Sequence, residues 1–361
     1  YGVRPIREND LKKIKTKVHL FGDGLGLSPQ EYAHLLDDLA DDDGIAPDRY
    51  SRGGVVEELE QKFAQMLGKE AAVFMPTGTL ANHLAVRLLC GERRKVIVPA
   101  ESHIYNDAGD CAQTLSGLNL VPLAPGEATF TLAEVTEAVR RARAGRVKAE
   151  VGAIMLESPV RRRNNAVFRW DEMQRVAAFA RDEGIGLHLD GARLPVAAVH
   201  SGRAMSEYAA LFDTVYVSLY KCYNAASGAI LAGPSKLLEG LYHDRRRFGG
   251  GMPYVWPFAA VALHYADGFA EEYAAALKVA DEVFSRLADS GKFAVERVLD
   301  GTNVVLLRLV EGDPEELRER LIGQNVVLPV PADDGVFAVK VNPTWNRVGG
   351  ENLVGAILEA V

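Results

Sequence analysis

Cysteine is scarce in this chain: its 361 residues hold three, Cys90, Cys111 and Cys222, far apart and with no Cys-x-x-Cys pair. That excludes a disulfide framework and a cysteine zinc site, and it points to reduced thiols and a cytoplasmic setting. No stretch reaches the roughly 20 consecutive apolar residues that a membrane helix needs. No Gly-x-Gly-x-x-Gly opens a helix after an early strand, so a dinucleotide-binding fold has no anchor. The glycines of segment 21–26 follow no long buried strand and read as a loop of an N-terminal arm. Positive charge is short as well: 41 lysines and arginines face 49 acids, a net charge of −8, whereas a dedicated nucleic-acid binder carries a basic footprint. Two short basic runs, 161–163 and 245–247, read as solvated or ion-paired faces. Repeats and low-complexity segments are missing too. The opening Tyr1 to Pro5 is neither a signal peptide nor a usual start, so the chain is expected to begin inside a longer gene product.

What is present is the balance of a globular protein, 48% hydrophobic and 25% charged, at a length that suits two domains. Short apolar runs alternate with helical patterns through the middle of the chain. Strands are expected at 71–75, 95–99, 119–123 and 151–156, then at 186–190, at 214–220 and, as a return strand, at 228–232. Helices are expected at 80–89, 131–144 and 170–183. Continuous apolar runs, rather than alternation, fit strands of a parallel sheet covered on both faces. After Pro257 the order changes to a long helical stretch over 258–290, strands at 303–309 and 336–341, and helices at 313–324 and 350–361. That order predicts a smaller α+β domain, giving an arm over 1–20, a large domain over 21–257 and a small domain over 258–361. The acid cluster 37–43 reads as a helix end opening into a loop.

Ligands of such sheets collect beyond the carboxyl ends of the strands, and four chemistry-bearing residues fall there: Thr77, His103, Asp190 and Lys221. An acid followed by a lysine at successive strand ends is what a pyridoxal phosphate (PLP) enzyme needs: the amine condenses with the cofactor aldehyde and the carboxylate keeps the pyridine nitrogen protonated. Enclosure of Lys221 by Tyr220, Cys222 and Tyr223 would favour the neutral amine. Thr77, Gly78 and Thr79 leave a strand and enter a helix, where backbone amides and hydroxyls hold a phosphate; the same turn is otherwise an ordinary helix cap. His103 is placed to stack on the pyridine ring and to move protons, or is a plain loop histidine. Arg193 is placed to reach the cofactor or a substrate carboxylate, or to form a salt bridge.

In order and spacing, the stretches 74–82 (with Pro76-Thr77-Gly78-Thr79), 101–104 (Glu101-Ser102-His103-Ile104), 187–193 (with Asp190-Gly191-Ala192-Arg193), 218–221 (ending in Lys221) and 248–252 (with Gly249-Gly250-Gly251) resemble the threonine aldolase branch of the β-eliminating lyase family. The resemblance covers most of the chain and is looser in the last third. It implies an α/β protein of fold type I, the aspartate-aminotransferase architecture. That means a mixed, mostly parallel seven-stranded sheet with a smaller α+β C-terminal domain, and active sites shared in a homodimer or homotetramer. It further implies PLP bound by Lys221, Asp190, His103, Arg193, Thr77, Gly78 and Thr79, with Gly250 and Gly251 approaching the neighbouring subunit's phosphate. Catalysis falls to Lys221, His103 and Asp190, and the substrate carboxylate to Arg193.

The departures are on the substrate side. Gly22-Asp23-Gly24 stands where the family has Ser-Asp-Thr, leaving Asp23 without the serine. Lys340 stands for a carboxylate-clamping arginine and cannot offer its planar fork. Tyr220-Lys221-Cys222 replaces Ser-Lys-Gly, and a histidine after Glu157 gives way to the stretch ending in Arg161, Arg162 and Arg163. The expected activity is retro-aldol cleavage of a β-hydroxy-α-amino acid to glycine and an aldehyde, with a small amino acid as substrate and no metal, nucleic acid or membrane as partner. The alternative is β-elimination, transamination or related PLP chemistry on a different amino acid, with Arg161–Arg163 recognising an anion. A PLP-binding protein without turnover is the remaining reading, and Tyr50 and Arg52 are candidates to reach into a partner's site.

Overall fold

The structure is a computed structural model, and it describes residues 17–42 and 44–361. Residues 1–16 of the expected arm, and Asp43 of the acid cluster, lie outside the described residues. The chain divides into two units: Leu27–Asp267 with Asp300–Thr302, and Tyr1–Gly26 with Gly268–Leu299 and Asn303–Val361.

Seven strands form the sheet of the larger unit: β1 (Ala71–Met75), β2 (Lys95–Pro99), β3 (Asn119–Leu123), β4 (Val151–Glu157), β5 (Gly186–Asp190), β6 (Thr214–Ser218) and β7 (Ala229–Gly233). Their order is β1-β7-β6-β5-β4-β2-β3. Only β7 runs against its neighbours, pairing antiparallel with β1 and β6, while the other pairs are parallel. The inner strands β4, β6 and β7 are buried at every position, as sequences without polar alternation require when helices cover both faces.

Helix α1 (Gly54–Leu67) precedes β1, and helix α2 (Gly78–Cys90) follows it. Helix α2 packs across β4 to β7 with Ala81, Leu84, Ala85 and Val86 fully buried. Its approach to the sheet is close because β4 carries Gly152, where a Cβ would lie 2.8 Å from the Cys90 backbone. The helices expected near 131–144 and 170–183 are α3 (Leu132–Ala144) and α4 (Trp170–Asp182). Thr131 caps α3 in a reciprocal bond with Glu134, a pairing that satisfies two free helix amides at once.

The long helical stretch expected over 258–290 is made of two helices. One spans Trp256–Ala266 and the next Phe269–Asp289. The break falls at Gly268, the N-cap of the second helix, where glycine's backbone freedom disfavours a continuous helix by about 1 kcal/mol relative to alanine. Asp267 before it is ion-paired with Lys62 of α1. The first of the two helices packs on α1, which is why the larger unit extends past Pro257. The basic run 245–247 also departs from expectation. Arg245 is buried, donating to the carbonyls of Phe74, Tyr50 and Ser51 at 2.5, 3.1 and 3.4 Å: a guanidinium has enough donors to serve as a bracket for backbone as well as a surface charge.

The smaller unit carries an antiparallel sheet of β8 (Phe293–Arg297), β9 (Val304–Leu309) and β10 (Val336–Lys340), with β9 in the middle. Its helices include Phe269–Asp289, Pro314–Gly323 and Gly350–Glu359. No described helix is long and apolar enough to cross a membrane.

Candidate active site

Beyond the carboxyl ends of the strands lies a cavity of about 360 Å³. Seven of the residues singled out from the sequence share its wall: Thr77, Gly78, Thr79, His103, Asp190, Arg193 and Lys221. They arrive there from four strand ends, those of β1, β2, β5 and β6, so the convergence is a product of the sheet order.

The turn after β1 presents free amides to the cavity. Thr77 is the N-cap of α2, its hydroxyl oxygen accepting from the Leu80 amide at 3.2 Å, so the turn is an ordinary cap as well. Gly78 and Thr79 begin the helix, where first-turn amides lack intrahelical acceptors. Gly78 has no room for a side chain: a Cβ there would lie 2.0 Å from the Tyr216 hydroxyl.

Asp190 ends β5 and is buried. Its Oδ2 accepts from Asn82 Nδ2 at 2.6 Å and its Oδ1 from the Ala192 amide at 3.0 Å. Asn82 Oδ1 in turn lies 2.9 Å from His188 Nε2. An amide oxygen only accepts, so His188 carries its proton on Nε2 and takes the Thr214 hydroxyl, 2.9 Å away, at Nδ1. Burial pushes the His188 pKa down to about 4, keeping the imidazole neutral. The chain Thr214–His188–Asn82 therefore fixes the Asp190 carboxylate from behind.

Glu157 ends β4 in register with Asp190. Its Oε2 accepts the His103 amide at 2.6 Å and its Oε1 the Arg161 amide at 3.0 Å, so one carboxylate ties two loops of the wall together. Burial, and then the charge of Asp190, push its pKa up to about 7, against the two amides and Arg193. His103 opens a short helix, His103–Asn106, and burial lowers its pKa. Arg193 is buried at the start of helix Leu194–Ser201. Lys221 lies three residues past β6 and is half-buried, its Nζ 5.3 Å from the Tyr220 ring centroid. The enclosure expected around it is incomplete, since Tyr220 is exposed and lines the same open cavity.

Six other residues singled out from the sequence lie off this wall. Gly250 and Gly251 close the turn after helix Leu241–Arg247, with a Cβ on Gly250 meeting Leu80 at 2.6 Å. Lys340 and Asp23 belong to the smaller unit and pair with each other at 3.2 Å. Tyr50 and Arg52 flank Arg246 and Tyr242 in cation–π contacts. The wall residues left without a role from the sequence include Asn82, Glu157 and Tyr216. The signal for Glu157 was the one that found Asp190, a carboxylate closing a continuously apolar strand. Nothing in the sequence marks Asn82 apart from its place one turn into α2.

The family profile described as β-eliminating lyase matches residues 40–309. The chain belongs to the β-eliminating lyase family. Among curated relatives, the low-specificity L-threonine aldolase of Saccharomyces cerevisiae is 30% identical over 207 residues, 57% of this chain and 53% of the yeast enzyme. An alanine racemase of Cochliobolus carbonum is 31% identical over 196 residues, 54% of this chain and 51% of that protein. These matches span about half the relatives' length. A solved Listeria monocytogenes structure assigned as an L-allo-threonine aldolase is 26% identical with a TM-score of 0.75, covering 97% of this chain and 98% of that one. The fold is fold type I. The wall would fit pyridoxal phosphate: amides at a helix N-terminus for the phosphate, a buried and doubly bonded carboxylate for the ring nitrogen, and a lysine on the same cavity.

Proposed function

We propose that this protein is a PLP-dependent carbon–carbon lyase that cleaves a β-hydroxy-α-amino acid of the threonine type to glycine and an aldehyde. The observation that carries the reading is the convergence of Lys221, Asp190, His103 and Arg193 with the Thr77–Thr79 turn on one cavity. When bound, the cofactor supplies the electron sink for the pair released from the Cα–Cβ bond.

The protein's residues do the rest. Gly78 and Thr79 hold the phosphate with amides and a hydroxyl, Lys221 anchors the cofactor covalently, and Asp190 keeps the ring nitrogen protonated. Arg193 pairs with the substrate carboxylate through a charge-assisted bond. His103, held unprotonated near neutral pH by burial, accepts the side-chain hydroxyl proton directly or through one water. Because its pKa lies below the ordinary histidine value, activity should persist to mildly acidic pH and fall as His103 protonates.

Homodimer or homotetramer assembly, with Gly250 and Gly251 facing a neighbour's phosphate, and a cytoplasmic location belong to the same proposal. Aldehyde release from L-allo-threonine and L-threonine by PLP-loaded protein, with Lys221→Ala as blank, tests it. Lysine-dependent release supports the lyase. A coloured holoprotein that releases no aldehyde from any β-hydroxy amino acid overturns it.

A further inference from the structure

The cavity wall holds one cation that the chemistry above leaves unused. Arg161 lines the cavity with Lys221 and His103. Its backbone is pinned by Glu157 Oε1, and the turn that carries it is closed by Asn165 N to Val160 O at 3.0 Å and by Ala166 N to Arg163 O at 2.9 Å. Through Nη2, Arg161 reaches Asp107 Oδ2 at 2.5 Å. Asp107 is also gripped by Arg162, whose Nε and Nη2 bond its two oxygens at 3.2 and 3.0 Å. Two guanidinium groups thus share one carboxylate. Among the described residues, Arg161 Nε and Nη1 have no hydrogen-bond partner. The Arg161–Asp107 pair is half-exposed, and solvent screening leaves such pairs weak. Asp107 keeps two bonds from Arg162 if Arg161 turns away, so redirecting Arg161 costs little, whereas a planar anion delivered to it gains a bidentate contact.

We infer that Arg161 forms a side-chain subsite for an anionic group, so that the favoured substrates are β-hydroxy-α-amino acids carrying a carboxylate on the β-carbon side. The inference rests on the lyase reading for its reaction and on the wall geometry for its selectivity. For 3-hydroxyaspartate the Cα–Cβ bond breaks, the hydroxyl proton leaves Oβ and a proton is returned at Cα. The products are glyoxylate and glycine, with no other reactant.

Two measurements separate this inference from the reading beneath it. In the first, kcat/KM is compared for threo- and erythro-3-hydroxyaspartate against L-threonine and L-allo-threonine, in the wild-type holoprotein and in Arg161→Met and Arg161→Lys. A wild-type preference for hydroxyaspartate that falls tenfold or more in Arg161→Met, with partial recovery in Arg161→Lys, supports the subsite. A preference for threonine that Arg161→Met leaves unaltered overturns it. The second uses L-aspartate and L-alanine, which lack the β-hydroxyl and cannot undergo this cleavage, and reads binding from the absorbance of the holoprotein. Tighter binding of aspartate that is lost in Arg161→Met supports the subsite even where every β-hydroxy amino acid is inert and the lyase reading fails. Equal binding of both in wild type and variant overturns the subsite whatever the turnover assays give.

Discussion

Asn82 has more structural consequence than its place in the sequence suggests. It joins Asp190 to His188, and truncating it leaves a buried carboxylate oxygen and a buried imidazole N–H unpaired, at about 1–3 kcal/mol for each. We expect Asn82→Ala to lower stability by about 2–4 kcal/mol in urea unfolding and to weaken PLP binding measured by fluorescence titration. Arg245→Met should cost about 3 kcal/mol or more in the same assay, because charged donors to the Phe74, Tyr50 and Ser51 carbonyls are lost together. Legibility at this scale follows chemical rarity. An acid and a lysine ending apolar strands were conspicuous, and Asp190 and Lys221 lie on one wall. Arg245 was misread as surface because a run of arginines looks the same whether its donors meet water or backbone. The separate fates of Arg161 and Arg162 were closed to the sequence, since both depend on Asp107, 54 and 55 positions away.

Among the elements, α2 does two jobs: its first turn presents amides to the cavity, and its body covers four strands. Leu84 is fully buried in the layer between them, so Leu84→Ala should cost about 2–5 kcal/mol. We expect cofactor affinity to fall with it, since the same helix carries the proposed cradle; thermal unfolding with and without PLP would show both effects. A Gly78→Ala change acts at the other end of the helix. Its Cβ meets the Tyr216 hydroxyl and ring, and we expect PLP binding to weaken by tenfold or more with a smaller loss of stability in the cofactor-free protein. Strands and helices of the larger unit were readable because apolar runs and 3.6-residue patterns are local. The break at Gly268 was not, because glycine is tolerated inside helical patterns and only the packing of the first helix on α1 separates it from the second.

For the whole molecule, buried histidine sets a pH dependence of stability. His188 has a folded-state pKa of about 4 against an unfolded value near 6.5. Below pH 6.5 the unfolded chain takes up a proton that the folded chain refuses, so stability is complete above that pH and falls as pH drops towards 4. The loss from this group between about pH 6.5 and 5 is about 1.5 kcal/mol. Urea midpoints across that window should fall, and His188→Gln should flatten the slope. Sheet order is the property a sequence reading left most open. Strand positions were in view, but nothing local says that β1, the first strand of the sheet, lies beside β7, the last.

That placement governs when the protein becomes itself. β1 and its partner β7 are about 160 residues apart along the chain. At a synthesis rate of roughly 5–20 residues per second, β1 waits on the order of 10–30 s for its neighbour to leave the ribosome. Throughout that interval the Thr77–Thr79 turn hangs from an unpaired edge, the kind of surface that recruits the wrong strands. Non-local pairing of this sort also slows refolding. The turn proposed to cradle the cofactor is thus among the first parts of the sheet to be synthesised and among the last to find its place, and a nascent chain arrested between Lys221 and Gly233 has its lysine but no completed sheet behind it.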